Sequence, residues 1–132
     1  MQIMRSGKLE SRPAPAARFG GTVRHERLVD PQPPTGLRMS RVLFEPGGRT
    51  NWHSHPGGQA LHVIVGRGRV AEWGQSPAEI LAGDTVFIAP GVKHWHGAAP
   101  TSAMMHLAIS AGEGDTEWME PVSEEDYVRD PA

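Results

Sequence analysis

The chain has 132 residues, 38% of them hydrophobic, with 16 glycines, 12 prolines, no cysteine and a formal net charge of -2. That length supports one hydrophobic core and not two, and the lack of cysteine excludes disulfides, thiolate metal sites and a cysteine nucleophile. Charges of both signs are scattered without a basic run, so neither nucleic acid nor a charged membrane surface is an expected partner.

The opening MQIMRSGKLE lacks the apolar stretch of a secretory signal. No segment approaches the ~20 apolar residues of a spanning helix. A soluble cytoplasmic protein is the expectation. Residues 1–20 are small and polar, with Pro13 and Pro15, and read as an extended arm. Such an arm is either disordered or laid across a partner subunit.

Residues 21–28 (GTVRHERL) alternate weakly and suggest an edge strand, and residues 29–36 (VDPQPPTG) a Pro-rich loop. His25 sits among arginines and a glutamate and reads as a surface residue. Residues 37–44 (LRMSRVLF) read as a strand with Ser40, Val42 and Phe44 inward and Arg41 outward. After the turn at Glu45-Pro46-Gly47-Gly48, residues 49–55 form the next strand. His53 and His55 are two apart and leave the same face. Pro56-Gly57-Gly58 is a turn, and Gln59 opens the following strand. If Gln59 points in, so do Leu61, Val63 and Val65, while His62 points out.

After the strand at 60–65, Gly66-Arg67-Gly68-Arg69 leads into residues 70–73, a short strand follows at 78–81 and another strand at 85–88. Residues 93–97 carry His94 and His96 on one face. Residues 102–110 (SAMMHLAIS) form the last clear strand, with Met104, His106, Ala108 and Ser110 on one side. The acidic tail contains Ser123-Glu124-Glu125-Asp126, a helix N-cap with acidic residues in the first turn. Trp118 and Tyr127 are expected to dock this tail. Eight or nine short strands with regular turns imply an all-β double-sheet barrel or sandwich.

Four residues of this pattern can supply lone pairs to one point: His53 and His55 from one strand, Gln59 from the next, and His94 from another hairpin. Three imidazoles and one oxygen suit a divalent transition metal rather than calcium or magnesium. A position left open at such an ion favours chemistry over a structural role. Periodicity alone leaves a second reading open, in which the histidines pack near Trp52 and Trp95 without any ion.

The two Gly-rich segments resemble the paired motifs of the cupin superfamily. Gly47, His53, His55 and Gly66 occupy the places of the first motif, with Gln59 where that motif has Glu. Gly83, Gly91 and His94 match the second, with Ala89 in place of its Pro and Ala98 in place of its Asn. The resemblance covers residues 37–110 and implies a cupin jelly-roll barrel with a short C-terminal helix. The whole chain is then one domain: arm 1–20, barrel core 37–110, tail 111–132. The His, His, Gln, His set, the run HWHGA and the tail WMEPVSEEDY are similar to small manganese-dependent bacterial cupins that act as hydroxynitrile lyases.

That likeness implies one bound ion, manganese first and iron, zinc, nickel or cobalt as alternatives. It implies cleavage of an aromatic cyanohydrin to aldehyde and hydrogen cyanide, with His106 or His96 moving the proton. A neutral Gln59 leaves the ion its full charge, which strengthens it as a Lewis acid and disfavours higher oxidation states. Ser40, Val42, Thr50 and Ser110 are candidate substrate contacts, although the parity of Thr50 is open. An iron-dependent oxygenase and a non-catalytic module for small anions are the rival readings of the same site. The expected partners are a small-molecule substrate and further copies of the chain, as a homodimer or homotetramer.

Overall fold

The computed structural model describes residues 1–131. In chain order the strands are β1 (Arg12–Pro13), β2 (Phe19–Gly20), β3 (Val23–Gln32), β4 (Leu37–Phe44), β5 (Arg49–Thr50) and β6 (His53–Ser54). They continue as β7 (Gln59–Glu72), β8 (Ala78–Leu81), β9 (Thr85–Ile88), β10 (His94–Ala98), β11 (Met104–Ser110) and β12 (Glu117–Trp118). One short helix follows, α1 (Glu124–Val128), and Ser123 caps it by accepting a bond from the Asp126 amide at 3.1 Å.

The strands form one antiparallel sheet in the order β1-β3-β4-β11-β7-β10-β5-β2, with β6, β8, β9 and β12 as side branches. Strand β7 turns the corner. Its first half pairs with β11 and β9, and its second half with β10 and β8. A 14-residue strand shared between two walls is what curls the sheet toward a barrel. It is also longer than the sequence suggests, because the chain continues straight through Gly66. Gly66 lies at a φ of 84°, and a side chain on it would collide with the Ala103 carbonyl, so only glycine lets β7 pass β11 there. A register shift between Met105 and His106 opposite β7 accompanies the passage. It turns Val65 outward, to 60% exposure, where strict alternation from Gln59 places it inside.

Two cores result. Val23, Val42, Phe44, Val63, Ile80, Ala98 and Met104 close one end of the barrel. Trp52, Ala71, Trp95, Val122 and Tyr127 pack between the outer face of β10 and the C-terminal tail. Tyr127 anchors that tail by donating its hydroxyl to the Ala98 carbonyl at 2.7 Å, with the Arg49 guanidinium 4.0 Å from its ring centre. The tail therefore docks through Tyr127 as the sequence suggests.

The N-terminal arm is only partly free. β1 pairs with β3 and β2 with β5, while residues 1–8 are exposed. The arm and the tail also interrupt the strand expected over residues 49–55. The Asn51 amide bonds to Arg18 and the Trp52 amide to Glu120, so the ladder with β10 breaks into β5 and β6. The Pro-rich stretch is likewise half strand, since β3 runs on to Gln32.

Candidate metal centre

Strand parity builds the inner wall in layers. Along β4 the inward residues from the closed end to the mouth are Phe44, Val42, Ser40 and Arg38. Along β11 they are Met104, His106, Ala108 and Ser110, which sit opposite those four in turn. β3 adds Val23, His25 and Arg27 at the first three levels, and β7 adds Val63, Leu61 and Gln59 at the last three. The deepest layer is apolar, the mouth is polar, and the histidines lie between.

The facing wall comes from β5, β6 and β10. Trp118 on β12 sits opposite His53 in the ladder and stacks on its ring, 4.7 Å between centres and 27° between planes. His53, His94 and His96 are buried, and one ring nitrogen of each lies within 4.8 Å of the other two. The His53 ring is 4.2 Å from His94 and 4.9 Å from His55, and His55 is 5.6 Å from His94. Gln59 reaches the same spot, its Oε1 3.2 Å from His94 Nε2.

The outer ring nitrogens decide which lone pairs point in. His53 donates its Nδ1 proton to the Asn51 carbonyl, and His94 donates its own to the Val92 carbonyl, both at 2.9 Å. A carbonyl only accepts, so in the neutral rings both Nε2 atoms carry lone pairs. His55 Nδ1 bonds to Thr116 Oγ1 at 3.1 Å, and its Nε2 is buried without a partner. His94 Nε2 and Gln59 Oε1 then face each other as two acceptors. A cation relieves that opposition, and the orphaned His55 nitrogen points to the same remedy. The donor set fits a divalent transition metal, which His53, His55, Gln59 and His94 would hold.

Burial keeps these rings neutral. It pushes His53 and His96 well below the usual imidazole range, and neighbouring histidines push further in the same direction. His55 falls to about 4 through burial first and then through the charges of His94 and Arg38, and burial alone lowers His94. Neutral imidazole is the ligating form.

His96 and His106 form a pair behind the cluster. His106 Nε2 bonds to His96 Nδ1 at 2.9 Å, while His96 Nε2 and His106 Nδ1 are buried with no partner. Burial lowers His106 to about 4. His96 borders the inner cavity, and His106 lies behind it, against Phe44. The tight histidine triad thus includes His96, to which the sequence assigns a proton-transfer role, and leaves His55 at its edge. The inner cavity, about 110 Å³, is also lined by Ser40, Val42, Thr50 and Ser110. Thr50 faces in, its hydroxyl accepting from the His96 amide at 3.2 Å.

His62 is exposed and bonds to Thr85, as parity requires. His25 corrects the surface reading: it faces the cavity opposite Val42 and bonds to Ser40 Oγ at 3.0 Å. Its alternation with buried Val23 was a usable signal, outweighed by the charged neighbours that point the other way. Arg38 carries the same parity as Ser40 and also lines the cavity. Trp118 docks the tail as the sequence suggests, but its place on the His53 ring is set by a two-residue ladder that leaves no local signal.

A curled sheet of this topology, with three buried histidines positioned for a metal between its walls, has the architecture of a cupin. Residues 40–110 match the cupin domain model, and the chain belongs to that family. Over 131 residues it is 47% identical to an (R)-mandelonitrile lyase of Granulicella tundricola, covering 98% of this chain and all of that one. A cupin-like protein of Thermotoga maritima superposes with a TM-score of 0.85 at 39% identity, covering 96% of this chain and 95% of that one. The polyketide cyclase RemF of Streptomyces resistomycificus shares the fold at a TM-score of 0.75 and 19% identity, over 96% of this chain and 90% of its own.

Metal content after dialysis checks the donor set. His94→Ala is expected to weaken retention of a divalent ion by roughly tenfold or more, and His62→Ala to leave it unchanged. Equal metal in the His94 variant and the wild type would contradict the assignment.

Proposed function

We propose that this chain is a metal-dependent lyase that cleaves and re-forms aromatic cyanohydrins. The whole-length likeness to a mandelonitrile lyase carries this reading. The lining of the inner cavity supports it. Phe19 and Trp118 line that cavity and offer flat apolar surfaces to a ring, with Val42 on the opposite wall.

A divalent ion on His53, His55, Gln59 and His94, manganese in our assignment, supplies Lewis acidity toward the hydroxyl group and the charge that develops on it. Of the His96 and His106 pair, His96 borders the cavity, and its free Nε2 takes the hydroxyl proton. His96 Nδ1 then donates its own proton to His106 Nε2 across the 2.9 Å contact, so the charge spreads over a buried pair. The bond to the nitrile carbon then breaks, its electron pair leaves with cyanide, and the histidine pair returns the proton. The products are aldehyde and hydrogen cyanide. Ser40 and Ser110, at the two outer levels, offer hydroxyl contacts that orient the substrate.

Aldehyde release from (R)-mandelonitrile by manganese-loaded protein, against metal-stripped protein, tests the reading. Metal-dependent release is expected. His106→Ala should lower kcat by about 10²–10⁴ with bound metal unchanged. Absence of release from protein shown to contain metal would sink the assignment, and oxygen uptake with iron in the site would favour an oxygenase.

We also propose that the chain works as a homodimer or homotetramer. Val65, Leu81 and Phe87 are exposed on β7, β8 and β9, and Phe87 is 74% accessible. Light scattering should give two or four chain masses, and Phe87→Glu should shift the distribution toward one. A wild-type monomer at micromolar concentration would contradict this.

A further inference from the structure

The inner cavity holds more positive charge than a neutral cyanohydrin calls for. Among the described residues no carboxylate lines it, its candidate metal donors are neutral, and two guanidinium groups, Arg27 and Arg38, border it. Both arginines also line the wider bowl outside, so they stand at the throat between the two spaces. Arg38 shares the outermost level with Ser110 and Gln59, which puts it two strands from a candidate metal donor. Two strand spacings are about 10 Å, a distance that a long arginine side chain and a small ligand span together.

Arg38 is also incompletely satisfied. Its Nη1 donates to the Gly36 carbonyl at 3.1 Å, while its Nη2 is buried and has no partner. Glu113 and Asp115 line the outer bowl, yet neither pairs with it, and the ion pairs of the described residues use Arg12, Arg41, Arg49, Arg67 and Lys93 instead. A buried, unpaired guanidinium donor is costly unless an acceptor arrives to meet it. Its fork geometry matches a carboxylate.

We propose that Arg38 forms a carboxylate subsite at the throat, and that the chain takes small 2-hydroxy or 2-oxo carboxylates of about the size of mandelate. The inference rests on the inner cavity being the substrate site, and not on the reaction performed there. The carboxylate meets Arg38, and the rest of the molecule occupies the cavity beside Val42 and Trp118. Arg27, more exposed, adds attraction at the entrance.

Calorimetric titration with (R)-mandelate and with uncharged mandelamide tests this without any turnover, so its outcome is separate from that of the cyanohydrin assay. The wild type is expected to bind mandelate about tenfold or more tightly than mandelamide, the scale of one charge-assisted bond. Arg38→Gln should remove most of that preference, and Arg38→Lys should keep part of it. Equal affinity of the wild type for the two ligands would overturn the proposal without recourse to any variant. So would an undiminished preference in a folded Arg38→Gln, which would assign carboxylate binding to the metal alone.

Discussion

Each histidine among the candidate metal ligands is oriented from behind. The Asn51 carbonyl holds the outer nitrogen of His53, the Val92 carbonyl that of His94, and the Thr116 hydroxyl that of His55. These three bonds set ring orientation, and the two carbonyl bonds also fix the tautomer, leaving Nε2 lone pairs turned inward. They depend on features far from the motif residues. Asn51 is positioned by the arm, through its amide on Arg18, and Thr116 by the tail that also brings Trp118 against His53. The arm and tail are therefore working parts of the centre, although neither belongs to the barrel core.

Burial has two consequences here. It keeps the imidazoles neutral at ordinary pH, which an ion requires of its ligands. It also makes every unpartnered polar atom expensive, and those atoms are concentrated at one place. Among the described residues, His55 Nε2, His96 Nε2, His106 Nδ1 and Arg38 Nη2 account for four of the five such atoms, and Trp95 Nε1 is the other. A fold that tolerates this many unmet donors and acceptors around one cavity is organised for guests that complete them.

Much of this was legible in the chain. Parity along residues 37–44 and 102–110 set the inward faces of β4 and β11, and the two Gly-rich segments set the fold class and the four candidate ligands. What alternation missed has a physical cause in each case. Val65 turned outward because a register shift between Met105 and His106 lies opposite it. His25 turned inward because its strand continues the β4 ladder, whatever the charge of its neighbours. The strand over 49–55 broke because segments 30 to 70 residues away took its backbone bonds. Long-range pairing by two-residue strands leaves almost no local signature, so the positions of Trp118 on His53 and of Thr116 on His55 were beyond reach.

His96 is the residue on which the sequence and the geometry divide. It lies within the tight triad with His53 and His94, yet its Nδ1 is committed to His106. Anomalous diffraction from a manganese-loaded crystal would separate a ligand from a proton carrier most directly. A single peak about 2.0–2.3 Å from the Nε2 atoms of His53, His55 and His94 and from Gln59 Oε1 is the predicted result. A peak centred on His53, His94 and His96, with Gln59 turned away, would contradict it and remove His96 from proton transfer.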